Sequence, residues 1–403
     1  MTAAAKHHSD TEDGDRLARL PDAVLVQIFQ VIAKHSRRDL CNISLLNRRY
    51  HLLADAILYN VVQFLTPELH QIFTQSLRRN PRRGSAIYEI QLAYPASKLS
   101  SQYPETPIKT NHWNRPLDNL SQSIATMSNL EVLDIAVPDT LLHGIGQLFD
   151  GPFDLACLQS CTLFYQSEGD AFWDLRENIH IFSQPSLEKL TIKRAKLDHR
   201  GFDLLEQPHN TALAKLHLLE CDINDDALGD LLAFPKALKE FVMTQPQDPS
   251  PDLEESSDSL RDYIVALGAA AHSLETITID FPILRNTKAL AMRDFVQLKT
   301  LRINWDHQLF GKSSKKPRMT SVGVPPELET LEFFNPLGTD EEVTDLFVSA
   351  VESIHITARK LAQLILVEGG DDGQTIPNRL HDALKAQPQI KIDVIGQMDI
   401  HGE

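Results

Sequence analysis

The chain has 403 residues, and 42% of them are hydrophobic, which is enough for a sizeable core and for two to three domains. Its 39 Lys and Arg residues against 55 Asp and Glu residues give a net charge of -16. This acidic balance argues against nonspecific nucleic-acid binding, because phosphate contacts need a basic surface. The sequence contains no apolar run of about 18 residues, so no membrane span is predicted.

Residues 1–15 are small, polar and acidic, and we expect them to form a disordered tail. The four cysteines are dispersed and no apolar signal segment is present, which favours a reducing compartment, the cytoplasm or the nucleus. Cys157 and Cys161 are four residues apart, but no second pair completes a zinc site, so we expect neither a metal nor a cofactor.

The stretch from Leu20 to Ile32 predicts an amphipathic helix. Pro21 suits a first-turn position, and Asp22 places a carboxylate near the positive end of the helix dipole. The apolar residues then recur at helical spacing and form one stripe: Val24, Leu25, Ile28, Phe29 and Ile32.

Two more short helices are predicted before residue 60. The first begins near Asp39 with Leu40, Ile43 and Leu46, and the second carries Tyr50, Leu53, Ala54, Ile57 and Leu58. A unit of about 45 residues is too small for a self-sufficient core. Residues 16–63 therefore form either a module completed by a partner or a three-helix piece of a larger core.

The residues of this segment resemble an F-box, the helical module that docks substrate receptors on the Skp adaptor of Skp-cullin-F-box ubiquitin ligases. The matching positions are Leu20-Pro21, Leu25, Ile28-Phe29, Asp39-Leu40, Ser44-Leu45-Leu46, Arg48-Arg49-Tyr50, Leu53-Ala54 and Leu58-Tyr59. Tyr50 and Tyr59 stand where the family often has Trp, and Leu46 where it often has Cys. The resemblance implies that the adaptor, and through it cullin, is bound by Leu20, Pro21, Leu25, Ile28, Phe29, Ile32, Leu45, Leu46 and Tyr50.

Residues 64–84 are interpreted as a connection. A helix is predicted from Pro67 to Leu77, followed by a basic run at 78–83. That run could be an import or phosphate-binding signal, but we interpret it as a solvated loop.

From residue 85 onward the chain repeats itself. An apolar residue is followed three and five positions later by two more, at intervals averaging about 30 residues, which suits one strand and one helix per leucine-rich repeat. The triplets begin at Ile87, Leu130, Leu158, Leu187, Leu213, Leu238, Leu274, Leu298, Leu328 and Leu361. Insertions are predicted at 95–116, 244–259 and 306–326, and a last strand at 390–394.

We therefore predict an α/β fold in which the three-helix F-box precedes a curved solenoid over residues 85–396. A parallel sheet would line its concave side and helices its convex side. The chain as a whole resembles F-box proteins with irregular, fungal-like leucine-rich repeats.

This resemblance implies a substrate-recognition subunit of a ubiquitin ligase, whose solenoid binds a protein target that the sequence does not name. No nucleotide loop, nucleophile elbow or metal motif is present in the sequence, so we expect no enzyme activity of its own. An alternative is a non-catalytic scaffold that delivers nothing to ubiquitin. A nucleic-acid reader is disfavoured by the net charge of -17 after residue 63, and membrane binding is not expected.

The target is predicted to bind the concave face, where side chains alternate with buried ones along each strand. Basic residues on this face are Lys189, Lys193, Lys215 and Arg302, and an apolar anchor is predicted from Phe334, Ile365 and Val367. Alternatively, a terminal segment or an inserted loop covers that anchor.

Overall fold

The computed structural model describes residues 16–93, 119–139, 142–149, 155–167, 169, 171–199, 211–246, 252–281, 290–304, 323–336, 341–368, 378–387 and 390–396. The predicted tail at 1–15 and the predicted insertion at 95–116 lie outside these ranges. Of the insertion predicted at 244–259, residues 244–246 and 252–259 are described, and of the one predicted at 306–326, only residues 323–326.

Three helices open the described chain, as predicted: α1 Asp22–His35, α2 Arg37–Ser44 and α3 Arg48–Asn60. The Ser36 side chain accepts a hydrogen bond from the Asp39 amide, so α2 begins two residues earlier than predicted. Asn47 caps α3 in the same way by accepting from the Tyr50 amide. We call residues 20–60 the helical module.

Within the described ranges, fifteen strands follow. They are β1 Val61–Phe64, β2 Glu89–Ala93, β3 Val132–Pro138, β4 Ser160–Gln166, β5 Trp173–Asp174, β6 Lys189–Lys193, β7 Ala195–Leu197, β8 Lys215–Leu219, β9 Asp222–Ile223, β10 Glu240–Thr244, β11 Thr276–Asp280, β12 Thr300–Ile303, β13 Thr330–Pro336, β14 Gln363–Glu368 and β15 Lys391–Gly396. Twelve of them form one parallel sheet in chain order, and β5, β7 and β9 form a smaller parallel sheet.

Seven further α-helices lie between strands in the part of the chain that the structure describes: α4 Pro67–Arg79, α5 Asn119–Ala125, α6 Leu142–Gly146, α7 Asp225–Leu231, α8 Leu260–Leu267, α9 Glu341–Thr357 and α10 Asn378–Lys385. Parallel neighbours that follow one another in sequence are the arrangement expected of a leucine-rich-repeat solenoid. The predicted fold class is therefore confirmed.

The apolar triplets determine the register of the large sheet. The second residue of each triplet pairs with its equivalent, as Leu190 does with Leu216 and Leu216 with Phe241. In all ten triplets the second and third residues are at most 3% exposed. Burying one such side chain contributes about 1.5–3 kcal/mol, so each repeat is stabilised by stacking on its neighbours.

The sheet begins earlier than the sequence suggested. Val62 and Phe64 of β1 are buried and β1 pairs with β2, so the predicted boundary after residue 63 falls within a strand. The triplet of β1, Tyr59-Val62-Phe64, was overlooked because its first residue belongs to the last turn of α3, although Tyr59 packs against the core of the sheet.

The basic run at 78–83 is not a simple loop. It spans the end of α4 and a 3-10 helix, Pro81–Ala86, and Arg83 donates to both carboxylate oxygens of Asp55 in α3 at 3.0 Å. This fork joins the helical module to the first repeat.

The described part of the predicted insertion at 244–259 is held against the small sheet. The Asp222 carboxylate accepts hydrogen bonds from the amides of Glu254, Glu255 and Ser256, and the Tyr263 hydroxyl accepts one from Ser257. These bonds satisfy backbone donors that a free loop would leave to water.

The predicted last strand is present as β15, where Ile392 packs against the core of the sheet. Val394, which alternation along the strand places on the same side as Ile392, is 45% exposed. Since β15 lies at the edge of the sheet, it pairs with β14 on one side only within the described residues.

Candidate protein-interaction surfaces

Three of the nine residues predicted to bind an adaptor lie inside the helical module. Leu25 and Phe29 are 0% exposed and Tyr50 is 1% exposed, and the rings of Phe29 and Tyr50 meet edge to face at 5.7 Å. A folded module cannot offer these side chains to another protein. They support the surface by fixing the three helices against one another.

The other six residues lie at or near the surface. Leu20, Ile28 and Ile32 are half-buried against the module core, whereas Pro21, Leu45 and Leu46 are exposed. Leu45 is 81% exposed and Leu46 is 69% exposed. Large apolar side chains at this level of exposure lose the free energy that burial would provide.

Sequence reasoning missed three further exposed apolar residues of the module. Val24 was assigned to the buried stripe but is 38% exposed, and Val31 and Leu52 are 57% and 64% exposed. The spacing of seven residues from Val24 to Val31 places both on one side of α1, next to the stripe rather than in it. That spacing was the available signal.

The start of α1 is held in place by α3. The Arg49 guanidinium lies 2.6 Å from the Asp22 carboxylate, and its NH2 group also donates to the carbonyl oxygen of Leu20 at 2.6 Å. Because both bonds flank Pro21, the exposed Leu20-Pro21 turn has a defined position on the module surface.

Exposed apolar side chains are concentrated at the N-terminal end of the described chain. Fourteen large apolar residues are exposed among those described, and nine of them lie between residues 17 and 72. They are Leu17, Val24, Val31, Leu45, Leu46, Leu52, Leu65, Leu69 and Ile72. A concentration of this kind is typical of a protein-binding surface.

The second candidate surface is the face of the large sheet whose residues alternate with the buried ones, which we call the open face. Lys189 and Lys215 are exposed on it, and Lys193 is half-buried. The Lys215 ammonium lies 2.7 Å from one Glu240 oxygen, and His217 Nε2 lies 2.9 Å from the other. The hydrogen bond from Lys215, with a further contribution from His217, outweighs the opposing effect of burial and holds the pKa of Glu240 below its ordinary value.

The C-terminal part of the open face differs from the prediction. Arg302 is exposed, but its Nε lies 2.9 Å from Glu332 on β13. Phe334 and Ile365 are half-buried, and Val367 is 1% exposed. Val367 is therefore not exposed on the open face, contrary to its predicted place in the apolar anchor. The register shifts between Glu332 and Pro336, so Val367 lies between Pro336 and Ile395.

The acidic partners Glu240 and Glu332 were not singled out from the sequence. The repeat from Leu238 to Met243 had been recognised, and aligning it with its neighbour would have placed Glu240 beside Lys215. The signal was therefore present in the register of the repeats.

The described residues offer few reactive groups. Cys221 is buried and its pKa is raised to about 12 by burial, and burial likewise raises the pKa of the Cys161 thiol. Within the described ranges no three His, Cys, Asp or Glu side chains are grouped to hold a metal ion. Across the same residues, no helix combines the length and apolarity that crossing a membrane requires.

No protein-family model matches the chain, and no curated protein matches it.

Proposed function

We propose that the chain is the substrate-recognition subunit of a Skp-cullin-F-box ubiquitin ligase. The helical module would bind the Skp adaptor, and the open face of the sheet would bind a target protein. The observation that carries the proposal is the clustering of exposed apolar residues on and beside the helical module, in the segment whose sequence resembles an F-box.

Charge supports a division of labour between the two parts. Residues 16–84 hold 11 Lys and Arg and 4 Asp and Glu, a net charge of +7, and residues 1–15 carry -3. With -16 for the whole chain, residues 85–403 carry -20. A partner with an acidic rim around an apolar centre is complementary to residues 16–84, which comprise the helical module and the basic segment after it, and less so to the remainder taken as a whole.

The proposal is tested with the full chain, purified Skp adaptor and cullin. We expect the adaptor to bind, and Leu45→Asp combined with Leu46→Asp to weaken binding by more than about tenfold, because truncating an interface anchor commonly costs about 2 kcal/mol or more. The matched control is Val265→Asp with Ile356→Asp, which changes two equally exposed apolar residues, 67% and 63%, on α8 and α9.

Two results would refute the proposal: a parent chain that does not bind the adaptor, or a control variant that loses as much binding as the module variant. Cullin recruitment and ubiquitin transfer distinguish a substrate receptor from the alternative, a scaffold. A substrate receptor recruits cullin through the adaptor and supports ubiquitin transfer to a captured protein, whereas a scaffold binds without transfer.

A further inference from the structure

Strands β4, β6 and β8 present nine aligned outward positions on the open face, and none of them is acidic. The register pairs Ser160 with Lys189 and Lys189 with Lys215. Two residues further along the strands, it pairs Thr162 with Thr191. Neighbouring strands lie about 4.8 Å apart. Amines and hydroxyls, all hydrogen-bond donors, therefore form a continuous patch.

The cations of this patch are only partly neutralised. The Lys193 ammonium lies 5.4 Å from the centroid of the Phe164 ring and 3.9 Å from Glu220, whose other oxygen lies 3.4 Å from Arg194. Lys215 is paired with Glu240. Lys189 forms no ion pair among the described residues, so its positive charge is uncompensated, and the acidic Asp134 lies at the edge of the patch, beside Thr162.

The ion pairs of the patch can exchange partners at low cost. The side chains of Lys193 and Lys215 are 40% and 52% exposed, and exposed pairs are worth about 0–1 kcal/mol. A ligand with several anionic groups could interact with the uncompensated positive charge and with the hydroxyl donors at once. Its binding would disrupt only these weak ion pairs.

We propose that this patch binds an extended acidic segment of the target protein, whose carboxylate or phosphate groups contact Lys189, Lys193 and Lys215. The inference rests on the target-binding half of the proposed function and is independent of the adaptor-binding half. A long nucleic acid is not complementary, because it would extend beyond the patch onto the rest of residues 85–403, which carry -20 overall, whereas a short acidic segment contacts only the patch.

The test uses the full chain and labelled peptides in fluorescence anisotropy. Three short peptides alternate Gly with Glu, with Gln or with phosphoserine. We expect the Glu peptide or the phosphoserine peptide to bind below about 1 mM and at least about tenfold more tightly than the Gln peptide, with affinity falling as salt rises. Whichever anionic peptide binds more tightly identifies carboxylate or phosphate as the group recognised.

The decisive variant is Lys189→Gln with Lys215→Gln, which should weaken anionic-peptide binding by about tenfold. The matched control, Lys239→Gln with Lys299→Gln, removes the same charge from two lysines that flank Glu275 at 3.8 and 3.5 Å just before β10 and β12. We expect the control to bind as the parent does, and circular dichroism to show both variants folded.

The proposal is overturned if neither anionic peptide binds, if the control loses as much affinity as the patch variant, or if a single-stranded oligonucleotide binds as tightly as the peptides. Adaptor capture is measured on the same proteins. A parent chain that captures the adaptor but binds neither anionic peptide refutes only this inference, whereas a parent chain that does not capture the adaptor refutes the proposed function.

Discussion

Arg194 and Glu220 occupy the same structural position in neighbouring repeats and touch each other. Each directly follows a strand of the large sheet, with φ of 54° and 53°, and their side chains approach to 3.4 Å. The Arg194 amide donates to the carbonyl oxygen of Leu219, the residue before Glu220. This left-handed turn redirects the chain from the large sheet into β7 and β9 of the small one.

The left-handed conformation at Glu220 predicts an unusual order of stabilities. Ala keeps the strained φ that Gly relieves, so Glu220→Ala should be less stable than Glu220→Gly by about 1 kcal/mol. Both variants lose the pair with Arg194, which cancels in the comparison. Urea unfolding of the two proteins measures the difference.

A matched comparison is available in α9, where Glu352 is exposed and helical. There Gly should be less stable than Ala by about 1 kcal/mol. An Ala variant at position 220 as stable as the Gly variant would contradict the assigned turn.

The fork between Arg83 and Asp55 should couple the helical module to the sheet. Arg83 also donates to the Ser76 hydroxyl at 2.7 Å, its guanidinium lies 4.8 Å from the Tyr59 ring centroid, and the pair is about one-fifth exposed. A double-mutant cycle with Arg83→Ala and Asp55→Ala should give a coupling of about 1–3 kcal/mol in the free energy of unfolding.

The pair formed by Arg379 and Asp345 is the control for that cycle. Its charged atoms are 2.8 Å apart, but its side chains are 72% and 60% exposed. Its coupling should stay below about 0.5 kcal/mol. Equal couplings for the two pairs would show that Arg83 does not join the two parts of the chain.

Glu240 should contribute to acid sensitivity. Its pKa is lowered in the folded protein, chiefly by the hydrogen bond from Lys215. A depressed carboxyl pKa gives stability that is present above the pKa of the unfolded chain and is lost as pH falls through the folded pKa. The parent should therefore lose more stability than Glu240→Gln when the pH falls through that window.

Unfolding free energies of the parent and of Glu240→Gln, measured from neutral pH to below the ordinary carboxyl pKa, test this difference. Lys215→Met removes the hydrogen bond that lowers the pKa of Glu240 most, so this variant should lose less unfolding free energy over the same pH range. Parallel curves for parent and Gln variant would mean that the contact with Lys215 is absent in solution.

The sequence predicted the features that neighbouring residues determine, and it did not predict those that depend on contacts between segments far apart in the chain. Leu216 and Leu218 were identified because the triplet is local and each repeat restates it. The pairing of Lys215 with Glu240 needs the register between two strands, and was missed. The burial of Val367 was not predicted; Val367 pairs with Pro336 after the register of β13 shifts, and no residue near Val367 signals that shift.

The helical module illustrates the same distinction. Helical spacing identified the side of α1 that holds Leu25 and Phe29, but not which apolar residues the other two helices cover. Leu45 and Leu46 lie between the end of α2 and Asn47, the cap of α3, and both are exposed. Their exposure depends on how the helices pack. Helical periodicity alone does not contain that information.

Within the helical module, buried residues hold the helices together and exposed residues are proposed to contact the adaptor, and this difference gives a last prediction. Phe29 is fully buried in an apolar cluster distinct from that of the sheet. Phe29→Ala should cost about 3–5 kcal/mol of module stability, whereas Leu45→Ala, at an exposed site, should stay within about 0.5 kcal/mol. Hydrogen exchange should show lost protection in α1–α3 with the strands of the large sheet still protected.

Adaptor capture by these variants should then depend differently on temperature. Phe29→Ala acts by unfolding the module, so its capture should recover on cooling to temperatures at which α1–α3 regain protection. Leu45→Asp with Leu46→Asp removes contact groups from a folded module, so its capture should stay weak at every temperature. Equal recovery of both variants would mean that Leu45 and Leu46 also act through folding. Equal loss of protection in the sheet of Phe29→Ala would show that module and sheet unfold as one unit.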